Sequence, residues 1–269
     1  MAGSKANFGK YGLRVFALGY LSLLLLIPLG MIFYRAFENG FAEAFNAVTT
    51  PDALHAFYLT ILIAAIAVTL NTIFGIGAAL LIVRTEFRGK ALLNAVIDLP
   101  FAISPVVIGL SLYLLYGRTG WFGSWLMDNG FQILFSLPGM IIATTFVTVP
   151  FVAREVVPVL HEIGDEQEQA ARTLGANWWQ TFRRITLPAI RWGLAYGIVL
   201  STARALGEFG AVAVVSGQVS GQTQTATIWI VHEFQQFDRV GAYTGSIVLA
   251  TIAILTLVAM NLSKRKEIT

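Results

Sequence analysis

Arg204 and Glu208 are a cation and a carboxylate four residues apart inside residues 192–215, a stretch with no other charge. At helical spacing the two share one face and can pair. A charge in an apolar run turns to the interior of a bundle, pairs there, or marks the route of a polar solute. Two readings follow. One is an ion pair that locks this helix to a neighbour. The other is an arginine facing a permeation route, with Ser201 near it as a polar lining residue. Catalysis has little to build on. Cysteine is absent, which removes thiol nucleophiles and thiolate metal sites. His55, His161 and His232 are far apart, and His161-Glu162 lacks the second histidine of a zinc-protease helix because position 165 is Asp. The nearest text to a phosphate-cradling Gly-x4-Gly-Lys-Ser/Thr loop runs from Gly3 to Tyr11; it is one residue too long and ends in Tyr. No Gly-x-Ser-x-Gly elbow occurs. These residues predict a chain that is not an enzyme, holds no metal and does not hydrolyse ATP by itself.

The elements that must position these residues read as membrane helices. Of 269 residues, 56% are apolar and 12% charged, where a soluble domain carries about 25% charge. The mean hydropathy is +0.71. The charges cluster between long uncharged runs, which excludes an ordinary globular domain and a disordered chain. A spanning helix needs about 20 apolar residues. Residues 15–34, 59–83, 99–116, 130–153, 192–215 and 240–263 predict six spans, and none shows the alternation of barrel strands. The first run has 20 residues, longer than the roughly 7–15 of a signal peptide core, and so reads as a span. With six spans, 14 of the 18 Lys and Arg fall on one side. The positive-inside rule then puts both termini in the cytoplasm, with tails 1–14 and 264–269 flanking a membrane domain over 15–263. Basic residues placed this way, for a net charge of +3, predict lipid and no nucleic acid as partner. Thr50-Pro51-Asp52 predicts an N-cap, a first-turn proline and a first-turn acid, so the second helix starts at Pro51 and runs to Val83. Pro100 and Pro105 interrupt backbone hydrogen bonding in the third span. A kink turned to the protein interior and a lining for a wet path would each satisfy the freed groups.

Residues 154–191 form the longest cytoplasmic segment, with 5 basic and 5 acidic residues, the pattern of a solvated helical surface. Its core is Glu168-Gln169-Ala170-Ala171, with Gly175 next and then Ile185-Thr186-Leu187-Pro188. The alanines are small, Gly175 permits a turn at positive φ, and Pro188 suits the start of a helix. A short helix built this way can sit close in a groove of another protein. The spacing resembles the cytoplasmic loop of ABC importer permeases: Glu-Ala-Ala, three residues, Gly, nine residues, Ile-x-Leu-Pro. Gln169 stands where that pattern usually has Glu, and Glu168 is adjacent but out of register.

The resemblance extends over nearly the whole chain. Residues 98–107, 151–155 and 204–212 look like the third, fourth and fifth spans of sulfate/thiosulfate permeases, most of all those of the CysW type. Molybdate/tungstate permeases and the T-type sulfate subunit share much of the pattern and are the alternatives. An ion-coupled secondary transporter is a distant one. The resemblance implies an all-α membrane protein of the type I, MetI-like permease architecture. It implies that Gln169, Ala170, Ala171, Gly175, Ile185, Leu187 and Pro188 couple the chain to a cytoplasmic ATPase. It further implies a second, T-type permease subunit in a heterodimer and an extracytoplasmic sulfate-binding protein. No cofactor is expected on this chain; ATP and Mg would sit on the ATPase. In that setting an arginine facing the path would meet a dianion, although Glu208 would leave Arg204 close to neutral as a unit.

Overall fold

Thr50, Pro51 and Asp52 open the longest helix as their types predict. The Thr50 hydroxyl accepts the Ala53 N–H at 3.3 Å, and the helix runs without a break from Pro51 to Arg84. At about 1.5 Å per residue it is roughly 50 Å long, well beyond the hydrocarbon core. The computed structural model describes residues 3–265; of the two predicted tails, residues 1–2 and 266–269 lie outside the described residues. In chain order the helices are α1 (Gly3–Leu21), α2 (Ile27–Ala36), α3 (Phe41–Val48), α4 (Pro51–Arg84), α5 (Lys90–Ala102), α6 (Pro105–Tyr116) and α7 (Gly123–Asp128). Then come α8 (Leu137–Ile163), α9 (Glu166–Thr173), α10 (Trp178–Thr181), α11 (Leu187–Leu206), α12 (Gly210–Val215), α13 (Ala226–Gln235) and α14 (Arg239–Arg265). One π turn, Ser22–Leu26, joins α1 to α2, and another, Phe182–Thr186, joins α10 to α11. There is no strand among the described residues.

The packed centre is α4, α8 and α11. Ala79 of α4, Val152, Val156 and Leu160 of α8 and Ile190 of α11 form one buried cluster. A second joins α4, α6, α8 and α12 through Ile63, Leu112, Met140 and Val212. Helix α14 packs on α13, α11 and α2. The residues 12–36 are strongly apolar, yet the most hydrophobic part of the run has nothing buried inside the chain, the distribution of a helix that faces lipid. Asn71 of α4 is the polar anchor of the centre. Its amide donates to the Thr148 hydroxyl at 2.7 Å and to the Thr145 carbonyl at 3.0 Å on α8.

Among the described residues, four helical segments are long and apolar enough to cross a membrane: Gly12–Ala36, Pro51–Arg84, Leu137–Ile163 and Arg239–Val258. Three predicted runs take a different course. Residues 99–116 do not form one straight helix. Pro100 and Pro105 flank a break at Ile103-Ser104, and α5 and α6 bend there by 113°, which makes a fifth span if the pair is counted as one. The run over 130–153 is shifted. Gly130 and Phe135 both have positive φ, which keeps the chain out of the helix until Leu137. The helix then continues past Arg154, which pairs with α5: Nε donates to Asp98 Oδ1 at 2.6 Å, and Nη2 to Oδ2. Residues 192–215 are interrupted at Gly207-Glu208-Phe209, between α11 and α12. Residues 154–163 and 187–191 are therefore helix, and the segment between α8 and α11 is shorter than 154–191.

Candidate functional site

The link from α8 to α11 is made of two short helices and two glycine turns. Gly164, at φ +65°, ends α8; Gly175, at φ +87°, turns the chain out of α9. Both values lie where a Cβ is strained, as the position of Gly175 in the sequence suggested. Asn177 and Gln180 form a capping box at α10, each side chain bonded to the other's backbone N–H, at 2.8 and 3.0 Å. Pro188 occupies the first turn of α11, as expected from its type. Ile185 is half-buried in the second π turn, and Leu187 packs against the buried cluster shared by α4, α8 and α11.

One buried carboxylate ties this link to the bundle. Glu168 of α9 accepts from Arg84 Nε at 3.1 Å and from Nη2 at 3.3 Å, and from the Thr186 hydroxyl at 2.8 Å. Arg84 also donates to the Leu160 carbonyl at 3.2 Å and the Gly164 carbonyl at 2.6 Å, so it satisfies the open end of α8. The side chains of Arg84 and Glu168 are 16% and 8% exposed. Ends of α4, α8, α9 and α11 thus meet at one ion pair. The motif's first position does not supply it. Gln169 is exposed, and its amide donates back to Asp165 at 2.7 Å. Ala171 is buried beside Glu168, while Ala170 and Gly175 face outward. Leu174 is 89% exposed, and no atom lies within 4 Å of where a Gly175 Cβ would sit. The outer side of the link is therefore open around Ala170, Leu174 and Gly175.

The second candidate cluster is also brought together. Arg204 Nη1 lies 2.6 Å from Glu208 Oε2. Glu208 stands beyond the end of α11, where its Oε1 accepts the Ala211 N–H at 2.8 Å and so starts α12. Its own carbonyl accepts from Thr227 at 2.8 Å, joining α13. The carboxylate is buried and the guanidinium is half-exposed. A buried acid that organises three chain segments favours the locking reading of the pair, with the cation left on the more open side. Ser201 does not line an open surface: it is fully buried, and its hydroxyl has no hydrogen-bond partner among the described residues. Glu208→Gln keeps the acceptor for Ala211 and removes the charge, so transport is expected to fall by about three- to tenfold at normal protein level. Full transport by this variant would rule the pair out of the working machinery.

Far along the chain, the Glu233 carboxyl of α13 is held above its ordinary value by burial, and further by Asp238 and Asp52, with His232 opposing. Protonation of this carboxyl therefore begins at a higher pH than that of an exposed acid. Among the described residues no group of His, Asp and Glu has a metal-binding arrangement.

Residues 71–267 match the family described as binding-protein-dependent transport system inner membrane component. The sulfate transport system permease protein CysW of Synechocystis is 52% identical over 96% of this chain and 93% of its own length. Its Escherichia coli K12 counterpart is 47% identical over 93% and 86%. The E. coli sulfate transport system permease protein CysT is more distant, 36% identical over 90% and 87%. Among solved structures, a chain of a bacterial ABC transporter that imports the acidic polysaccharide alginate superposes with a TM-score of 0.80 at 19% identity, covering 97% of this chain and 96% of that one. An all-helical bundle with an open, glycine-turned link between α8 and α11 and near-full-length relatives of this kind place the chain, plainly, in the family of inner membrane components of binding-protein-dependent transport systems.

Proposed function

We propose that the chain is the CysW-type permease subunit of an ATP-driven importer for sulfate and thiosulfate. The observation that carries this is identity of about half over nearly the full length to proteins named for sulfate transport. The more distant match to CysT supports a T-type chain as the second half of the pore. The alginate transporter, solved with its periplasmic protein, supports an extracytoplasmic binding protein as the source of substrate. Six spans result if the bent α5–α6 pair and α11 are added to the four long helices, with both termini and the α8–α11 link in the cytoplasm. An ATPase that closes on ATP would grip the open side of the link at Ala170, Leu174 and Gly175. The Glu168–Arg84 tie would carry that movement into α4, α8 and α11 together. Coupling of this kind is two-state motion through a docked element.

Labelled sulfate uptake tests the substrate reading. Cells lacking the chain are expected to lose uptake, cells given it back to regain it, and thiosulfate to compete. Intact sulfate uptake with impaired molybdate uptake would move the substrate to the alternative. Docking has its own test. Gly175→Asp adds a side chain at positive φ on the open surface and is expected to lower ATPase co-purification by about tenfold or more while the permease still inserts. Normal co-purification would remove the link from the interface. Orientation is directly measurable because the chain has no cysteine. A single cysteine at the exposed Gln167 is expected to react only from inside, and one at Ser220 only from outside.

A further inference from the structure

The segment after Gly175 carries two faces. Trp178, Thr181, Phe182 and Thr186 turn toward α4 and Glu168 and line one groove with them. On the opposite face Trp179, Gln180, Arg183 and Arg184 line a shallow hollow of their own. The pairs 179/183 and 180/184 are four apart, so all four side chains share one side of the helical turn. Trp179 is 56% exposed, and both arginines are exposed. Neither Arg183 nor Arg184 has an ion pair or a side-chain hydrogen bond among the described residues. The buried carboxylate of the link, Glu168, is already committed to Arg84 and Thr186. Two adjacent guanidinium groups, unpaired among the described residues and beside a half-open indole, suit an anionic partner that is apolar at one end.

We infer that this face binds the headgroup phosphate of an anionic phospholipid. The guanidinium forks of Arg183 and Arg184 take the phosphate oxygens, a geometry that planar paired donors suit. Trp179 lies beside them at the boundary where indoles settle between headgroup and acyl chain. The chain enters α11 directly after the arginines, and Arg191 stacks over the Trp192 ring at 5.4 Å there, which keeps cation and indole together along the same approach to the bilayer. A lipid held here would brace the α8–α11 link against the membrane surface while its other face stays on Glu168. The inference rests on the reading that this link lies at the cytoplasmic membrane surface.

The test is native mass spectrometry of the purified transporter, titrated with phosphatidylglycerol or phosphatidylcholine of matched acyl chains. The wild type is expected to retain phosphatidylglycerol over phosphatidylcholine. Arg183→Gln with Arg184→Gln is expected to reduce that preference by at least about threefold, and Arg183→Lys with Arg184→Lys, which keeps the charge but not the fork, to retain only part of it. Unchanged preference in the glutamine variant overturns the inference. Inorganic phosphate that displaces phosphatidylglycerol at equal concentration would show a free-anion site and overturn the lipid assignment. Loss of the ATPase from the glutamine variant, with lipid preference intact, would make the face a protein-docking surface and also overturn it. The Gln167 cysteine labelling reports the orientation separately, since Gln167 is off this face and lipid retention in detergent does not depend on which side the link faces.

Discussion

Glu168→Ala is expected to reduce uptake by at least about tenfold, whereas Gln169→Ala is expected to stay within about twofold of wild type. The two positions are neighbours in sequence and opposite in environment. Glu168 is buried and holds Arg84 and Thr186. Gln169 is exposed and bonds only within its own helix. Removing the carboxylate leaves the Arg84 charge buried without its partner, a loss of about 3–5 kcal/mol for such pairs. Each 1.4 kcal/mol is about a factor of ten in an equilibrium, so the link would spend much of its time released from the bundle. The variant is expected to keep its ATPase, because the open surface at Leu174 and Gly175 is untouched, and to hydrolyse ATP with little transport. Glu168→Gln separates charge from shape. It retains an oxygen for Thr186 but not the ion pair, and its uptake should fall between wild type and Glu168→Ala. Uptake and ATP hydrolysis measured together in proteoliposomes check this. Equal effects at 168 and 169 would sink the assignment.

The contrast also marks where the sequence was readable. The motif's spacing located the link, the glycine turn at 175 and the helix start at Pro188, because each depends on local backbone chemistry. It could not assign the ion pair. Its first position falls on Gln169, and the carboxylate that matters is one residue earlier, paired with an arginine 84 residues away. Residue order carries no record of such a partner. The same limit explains α8. An arginine at 154 looks like the end of an apolar run until Asp98, brought alongside on α5, pairs with it. The Thr50-Pro51-Asp52 start was legible for the opposite reason, since a cap is closed by the next three residues. At Arg204 and Glu208 the spacing predicted the contact, but the break in the helix that lets Glu208 start α12 was set by its bond to Ala211.

Gly197→Leu is the second large effect, and it should act on assembly rather than coupling. A Cβ at Gly197 of α11 would lie 2.9 Å from the Val152 Cα and 3.3 Å from the Phe151 carbonyl oxygen, both backbone atoms of α8. On the other side of the same valine, a Cβ at Gly75 of α4 would meet Val152 Cβ at 2.8 Å and the Ala153 nitrogen at 3.0 Å. Val152 is fully buried between the two glycines. Three helices therefore approach at one residue because two of them have no side chain there, the packing that small residues permit between membrane helices. A backbone cannot move aside as a rotamer can, so a leucine must part α11 from α8. Overpacking of this kind typically costs about 1–3 kcal/mol and more when no side chain can yield. The separation would also pull α11 away from the Arg84–Glu168 tie at its start. The expected result is a protein level reduced by about fivefold or more for Gly197→Leu and for Gly75→Leu. Gly77→Leu is the control, because no atom lies within 4 Å of its Cβ position, and its level should match wild type. Quantified membrane fractions decide between them. Equal levels for all three variants would mean that α4, α8 and α11 do not meet as closely as the two glycines require.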